Sequence, residues 1–98
     1  MPTDAEIIHG IQSPSPYDAE ATSEDHARRL LQQAIPDAVE LPTAVSGSPY
    51  PNAPRGCRKW FQLHPPEAAV KHRRPHFKYV DWTGGKRWRG GSWGHIQF

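Results

Sequence analysis

Apolar residues recur at helical spacing in one stretch of the N-terminal half. They are Ala27, Leu30, Leu31, Ala34 and Ile35. Positions i, i+3, i+4, i+7 and i+8 share one face of an α-helix, so this stretch predicts an amphipathic helix over residues 22–35. Thr22 and Asp25 have the spacing of a capping box, with Asp in place of Glu, and Pro36 prevents the helix from continuing.

Three later segments have the composition of β-strands. Residues 58–64 alternate imperfectly between polar and apolar side chains, residues 76–82 are rich in aromatic and β-branched side chains, and residues 93–98 form a third candidate. Residues 83–86 contain a Gly-Gly pair that accepts positive φ angles. This pair predicts a hairpin turn, after which residues 87–89 return as an antiparallel strand.

The segments around these elements are rich in proline and polar residues. Residues 36–55 contain five prolines and a Ser-Gly-Ser sequence, which favours extended backbone and predicts a linker or strap. Tyr50 in this segment either anchors the strap on the rest of the chain or contacts a partner. We expect residues 1–21 to form an acidic, partly irregular arm, and residues 67–72 have room for about two helical turns.

Together these elements predict the α+β fold class. We expect one amphipathic helix packed on a small antiparallel sheet of three to four strands, with the strands in a basic, aromatic module over residues 56–98. The chain has 98 residues and 36 % hydrophobic content, so it is one small domain at most and has a thin core.

Charge is divided unevenly along the chain. Residues 1–54 contain eight acidic and two basic side chains, a net charge of −6, whereas residues 55–98 contain ten basic and two acidic ones, a net charge of +8. These values agree with the overall charge of +2. All four tryptophans also lie in the basic half. This asymmetry is typical of contact with nucleic acid or another polyanion.

Basic and aromatic side chains are interleaved in the C-terminal half, which predicts a small, non-enzymatic nucleic-acid-binding protein. Basic side chains neutralise phosphates, and exposed rings stack on unpaired bases. The predicted contact residues are Arg58, Lys59, Lys78, Lys86, Arg87, Trp88 and Arg89. Because no recognition helix is evident, contacts to the backbone and by stacking are expected, and the sequence does not distinguish DNA from RNA.

Two alternatives account for the same residues without nucleic acid. Trp82, Trp88 and Trp93 can form the core of the sheet while the basic side chains are solvated or pair with the acidic half. A protein-binding regulator, inhibitor or assembly component is the other alternative. For that function the candidate contact residues are Leu30, Leu31 and Ile35, which can instead pack on the chain's own sheet.

Histidines offer two further candidate chemistries. A small nuclease would use histidine as general acid or base and a basic side chain to stabilise the transition state. Its candidate residues are His64, His72, His76 and His95 with Arg73, Arg74 or Lys78. Possible zinc ligands are Cys57, His64, His72 and His76. Only the interval between His72 and His76 has a spacing found in zinc fingers, and Pro75 lies inside it. Neither a metal site nor a cofactor is therefore predicted.

The single cysteine and the N-terminal sequence bear on the compartment. Cys57 has no partner for an intrachain disulfide, the N-terminus lacks a basic segment followed by an apolar one, and no apolar run approaches the roughly 18 residues of a membrane span. The sequence therefore predicts a cytoplasmic protein without membrane contact.

Overall fold

Two helices lie on one face of a five-stranded mixed sheet. A computed structural model of the chain describes residues 2–67 and 74–98. The elements are α1 (Asp4–Gln12), β1 (Ala19–Glu20), α2 (Glu24–Ala34), β2 (Val39–Glu40), β3 (Lys59–His64), β4 (His76–Asp81) and β5 (Ser92–Gln97). The strand order is β1-β5-β4-β3-β2. The three long strands are antiparallel, and each edge strand pairs in parallel with its neighbour.

Helix α1 begins at a capping box that the sequence analysis did not use. The Thr3 hydroxyl accepts a hydrogen bond from the Glu6 amide, and the Glu6 carboxylate accepts one from the Thr3 amide, both at 3.2 Å. Ile7 and Ile11, four residues apart, are buried against the sheet. The segment expected to be a partly irregular arm therefore contains a helix, because capping and one buried apolar face are sufficient once the sheet covers that face.

Helix α2 confirms the helix predicted from the apolar stripe, with a different cap. The Ser23 hydroxyl accepts a hydrogen bond from the His26 amide at 3.1 Å, so Ser23 rather than Thr22 is the N-cap. The Thr22 amide instead donates to His26 Nδ1 at 3.0 Å. The last helical residue is Ala34, two residues before Pro36.

The α+β class is confirmed, whereas the predicted element count is too low. The three strands expected within residues 58–98 are present as β3, β4 and β5. The sheet is mixed and has five strands, because β1 and β2 add to its edges; each has two residues, which is too few for a period to be recognised. There are two helices in the described part of the chain instead of one.

Two other predicted elements have different outcomes. The return strand over residues 87–89 is wrong, because these residues form a turn in which Trp88 has a φ of 59° and Gly90 a φ of 98°. Such left-handed backbone cannot continue a strand. The helical turns predicted over residues 67–72 fall, apart from Glu67, outside the described residues.

The core lies between the helices and one face of the sheet. Its large side chains are Ile7, Ile11, Leu30, Leu31, Phe61, Phe77, Tyr79 and Ile96. Leu30, Leu31 and Ile35, the residues considered for a protein partner, are each at most 3 % exposed. They complete the chain's own core and are not available as a contact surface in this fold.

The segment before β1 reaches the sheet through a glycine and a tyrosine. An added Cβ at Gly94 would overlap the Tyr17 carbonyl, so the absence of a side chain there allows the two backbones to meet. The Tyr79 hydroxyl donates to the same carbonyl at 2.9 Å. Burial, and then the charges of Asp18 and Tyr17, raise the pKa of the fully buried Tyr79 well above its ordinary value.

The segment predicted as a linker or strap over residues 36–55 includes the edge strand β2. From here on the strap means residues 41–58, which follow β2 and run along β3. The Leu41 amide donates to the Phe61 carbonyl and the Ala44 amide to the Leu63 carbonyl, both at 2.9 Å.

In the part of the chain that the structure describes, no helix combines the length and the apolar composition needed to cross a bilayer.

The buried Tyr79 hydroxyl predicts a loss of stability at alkaline pH. An unfolded tyrosine ionises near pH 10, whereas folded Tyr79 keeps its proton, so the folded state binds more protons and the free energy of unfolding falls by about 1.4 kcal/mol per pH unit above that point. Tyr79→Phe loses about 1 to 2 kcal/mol at neutral pH because the Tyr17 carbonyl loses its donor. We therefore expect the difference between wild type and Tyr79→Phe to close between about pH 10 and pH 12.

Denaturant unfolding at each pH measures this difference. Ile96→Val, a core substitution without a titratable group, serves as the control and should keep a constant difference from wild type. If the difference in the free energy of unfolding between wild type and Tyr79→Phe also stays constant from neutral to alkaline pH, the prediction is contradicted.

Candidate functional site on the distal face

The face of the sheet opposite the helices carries polar, basic and aromatic side chains, and we call it the distal face. Directly opposed residues of antiparallel strands point to the same face, so the register defines rows of side chains across β3, β4 and β5. The rows are Trp60–Val80–Trp93, Gln62–Lys78–His95 and His64–His76–Gln97. One end of the distal face is therefore aromatic, the middle is polar, and the other end carries two histidines.

The strap covers the distal face beside β3. The amide nitrogen of Gln62 donates to the carbonyls of Pro42 and Pro51, at 2.9 and 3.1 Å. The ring of Tyr50 lies 4.7 Å from that of His64, which corresponds to the anchoring role considered for this tyrosine. Gln62 is only 2 % exposed, and these two bonds satisfy its amide nitrogen, which would be costly to bury unpaired.

The β4–β5 loop, residues 82–91, folds over the aromatic end. The ring of Trp88 lies 5.1 Å from that of Trp93, and the guanidinium of Arg87 lies 5.8 Å from the Trp93 ring. The two tryptophans nevertheless differ in exposure, at 8 % for Trp93 and 79 % for Trp88. Trp93 is thus buried on the distal face beneath the loop, whereas Trp88 presents most of its ring to solvent.

Two backbone hydrogen bonds hold this loop in its turn. The amides of Arg89 and Gly91 both donate to the Lys86 carbonyl, at 2.9 and 3.2 Å. Trp88, between Lys86 and Arg89, has the left-handed φ of 59°. A bulky residue adopts this conformation at a cost in free energy, so packing contacts of the loop must compensate for it.

A groove of about 640 Å³ lies between the start of β3 and the β4–β5 loop. Arg58, Gly84, Gly85 and Lys86 are among the residues that line it. The Trp82 amide donates to the Arg58 carbonyl at 2.7 Å, which holds the two sides together. Exposed glycine backbone next to basic side chains allows close approach of an anion.

Ion pairs neutralise much of the acidic half but leave this region positive. Arg28 pairs with Glu24 and Glu40, and Arg74 lies 3.5 Å from Glu20. Within the described residues, no ion pair involves the basic residues Arg58, Lys78, Lys86, Arg87 and Arg89. The two halves of the chain therefore do not cancel each other's charge here.

One predicted contact residue lies elsewhere. Lys59 alternates with Trp60, so it belongs to the helix side of β3, and its ammonium lies 2.8 Å from Asp37. Lys78 does lie on the distal face, with its ammonium 5.8 Å from the centre of the Trp60 ring. Burial, and then the positive charge of Arg87, lower the pKa of Lys78.

The opposite end of the distal face contains a compact group of titratable side chains. His64 Nδ1 lies 3.3 Å, and His76 Nε2 3.0 Å, from the same oxygen, Glu67 Oε1. We call these three residues the histidine cluster. The ring of His76 also lies 5.3 Å from that of His95. Two of the cluster's residues, His64 and His76, are buried, with exposures of 6 % and 0 %.

Burial and charge act in opposite directions inside the cluster. Burial lowers the pKa of His64, and the interaction with Glu67 only partly offsets it. Burial acts to raise the pKa of Glu67, but the contacts with His64 and His76 outweigh it and hold that pKa below its ordinary value.

The structure groups only some of the residues considered for catalysis or zinc. His64, His76 and His95 are neighbours on the distal face, whereas His72 and Arg73 lie outside the described residues. Cys57 precedes β3 and donates to the Lys59 carbonyl, at the end of β3 remote from His64. The sequence analysis missed Gln62. Strand alternation places Gln62 with His64, but only the β3–β4 register shows that His76 is opposite.

Comparison with protein-family models, with curated proteins and with solved structures finds no match to this chain.

The contrast between the two tryptophans predicts different costs of removing each ring. Trp88→Gly removes an exposed ring and relieves the left-handed backbone, so we expect the free energy of unfolding to change by no more than about 1 kcal/mol. Trp93→Ala removes a buried ring and should cost about 3 to 5 kcal/mol. Denaturant unfolding of both variants checks this, and equal losses would show that Trp88 packs as a core residue.

Proposed function

We propose that the chain is a small, non-enzymatic nucleic-acid-binding protein that holds an unpaired strand on the aromatic end of the distal face. The proposed contact surface comprises Arg58, Lys78, Lys86, Arg87, Trp88 and Arg89. We call it the basic aromatic surface. Lys59 is left out because its ammonium is engaged with Asp37 on the other side of the sheet.

One observation carries the proposal. Trp88 is a 79 % exposed ring in a strained turn, directly between two arginines that form no ion pair with the described residues. An isolated domain gains little from exposing its largest side chain at a backbone position that favours glycine. A nucleobase stacked on the ring would bury it, at about 1 to 3 kcal/mol per base.

The surrounding charges are arranged for a phosphate backbone. Arg58 and Lys86 line the groove beside the loop, and after burial the positive charge of Arg87 contributes to lowering the pKa of Lys78. Neutralising these positive charges with phosphate would be favourable and would release counterions. Recognition by stacking and by phosphate contacts needs no particular base sequence.

A protein partner has weaker support. The apolar stripe considered for it, Leu30, Leu31 and Ile35, is buried in the core. A polyanion partner therefore accounts for more of the exposed side chains than does a protein partner that would bind the apolar stripe of α2 in a groove.

Binding to labelled single-stranded and double-stranded DNA and RNA over a salt series tests the function. We expect single strands to bind more tightly than duplexes, with log K falling against log salt by about 0.7 for each phosphate contact. Replacing Arg87 and Arg89 together with alanine should reduce that slope by about 1.4. Trp88→Gly should weaken binding by about 1 to 3 kcal/mol without changing the slope.

Arg29→Ala is the matched control, because Arg29 is an exposed arginine on α2, on the other side of the sheet. It should leave both affinity and slope nearly unchanged. A slope reduced equally by Arg29→Ala would indicate diffuse attraction to a positive chain, and an absence of binding at low salt would refute the proposal. Degradation of the probe would instead support the nuclease alternative.

A further inference from the structure

The histidine cluster has a hydrogen-bonding arrangement that fixes which ring nitrogen carries the proton. Gln62 uses its amide nitrogen to donate to the carbonyls of Pro42 and Pro51, so its amide oxygen faces His64. His64 Nε2 lies 2.8 Å from that oxygen, which can only accept, and therefore Nε2 carries the proton. In the neutral ring, His64 Nδ1 is left with a lone pair.

His76 is fixed in the opposite way. Its Nδ1 lies 2.8 Å from the Arg74 carbonyl, which again can only accept, so Nδ1 carries the proton. The lone pair of the neutral ring is then on Nε2, the atom that lies 3.0 Å from Glu67 Oε1. The two histidines thus use different nitrogens to face one carboxylate oxygen.

This arrangement places three electron-rich atoms around one point. Two imidazole lone pairs and a carboxylate oxygen repel one another unless a positive charge lies among them. Both rings are buried, so water does little to screen this repulsion. A metal cation supplies the charge without protonating either ring.

We propose that His64 Nδ1, His76 Nε2 and a carboxylate oxygen of Glu67 bind one zinc ion. The three ligand atoms all lie within 4.8 Å of one another. Zinc bonds of about 2.0 to 2.2 Å in a tetrahedron set ligand atoms about 3.3 Å apart, close to the 3.3 and 3.0 Å found here for the two nitrogen-to-oxygen distances. Two imidazoles and one carboxylate are a donor set that zinc accepts, and three protein ligands leave a position for water or substrate.

The outer contacts match those of metal-binding histidines. Such a histidine usually donates its remote N–H to a carbonyl or carboxylate, which orients the ring and makes its other nitrogen a better ligand. The Gln62 amide oxygen does this for His64, and the Arg74 carbonyl does it for His76. Within residues 2–67 and 74–98, this is the one group of three such side chains whose ligand atoms converge in this way.

The proposal predicts a specific nuclear magnetic resonance signature. The full chain is stripped of metal with a chelator, and its histidine ring ¹⁵N shifts are recorded at pH 7.5 before and after one equivalent of Zn²⁺. We expect zinc to shift Nδ1 of His64 and Nε2 of His76, with the proton retained on Nε2 and Nδ1, respectively. His9, which is exposed on α1, should show no comparable change.

Zinc affinity in competition with a coloured chelator provides the second measurement. Wild type should bind one equivalent, and Glu67→Gln, which keeps the shape of the side chain but not its charge, should weaken binding by more than about 100-fold. His9→Ala is the matched control for adventitious zinc binding by a chain with six histidines. Its zinc affinity should remain within about twofold of that of wild type.

Three results would overturn the proposal. The first is zinc binding that is equal in Glu67→Gln and wild type. The second is zinc binding that is lost in His9→Ala. The third is wild-type ¹⁵N shifts of His64 and His76 that do not respond to zinc, including rings found doubly protonated that zinc does not displace. Because the last measurement uses wild type, it decides the matter even where a variant fails to fold.

Discussion

The distal face depends on one buried amide. Gln62 bridges two carbonyls of the strap with its nitrogen and orients His64 with its oxygen, so a single side chain joins the strap, the central sheet and the histidine cluster. Removing it would leave those groups buried without partners, at about 1 to 3 kcal/mol for each. This polar anchor acts together with the amide bonds to β3 and with the buried side chains of Leu41 and Ala44 to determine where the strap lies.

The two ends of the distal face carry different chemistry and share an electrostatic environment. The aromatic end collects basic side chains that form no ion pair with the described residues, whereas the other end places Glu67 between two histidines. Lys78 lies in the row between the two ends and interacts electrostatically with both. Besides burial, the charge of Arg87 lowers the pKa of Lys78, and the charge of Glu67 acts to raise it. A zinc ion at the cluster would offset the charge of Glu67 and extend the positive potential along the whole face.

Local sequence pattern identified the elements that are long enough to show a period. The stripe of α2 spans five apolar positions, and β4 is rich in aromatic and β-branched residues, so both could be predicted. The helix α1 has only two fully buried isoleucines, and each edge strand has two residues, so their formation depends on tertiary contacts.

The site was less accessible to prediction than the fold. The composition indicated a basic aromatic region, but the exposure of Trp88 and the burial of Trp93 follow from a loop conformation with left-handed backbone in place of a strand. The pairing of His64 with His76 required the register of two strands that are separated by a long connection, which a single sequence does not specify.

The two-residue edge strands have a consequence for the behaviour of the chain in concentrated solution. The six-residue strands β3, β4 and β5 have the length to template pairing with another molecule, but β1 and β2 occupy their outer edges. Very short edge strands offer few free amides and carbonyls to a neighbouring chain. This arrangement protects the long strands from edge-to-edge aggregation while Trp88 stays exposed to a ligand.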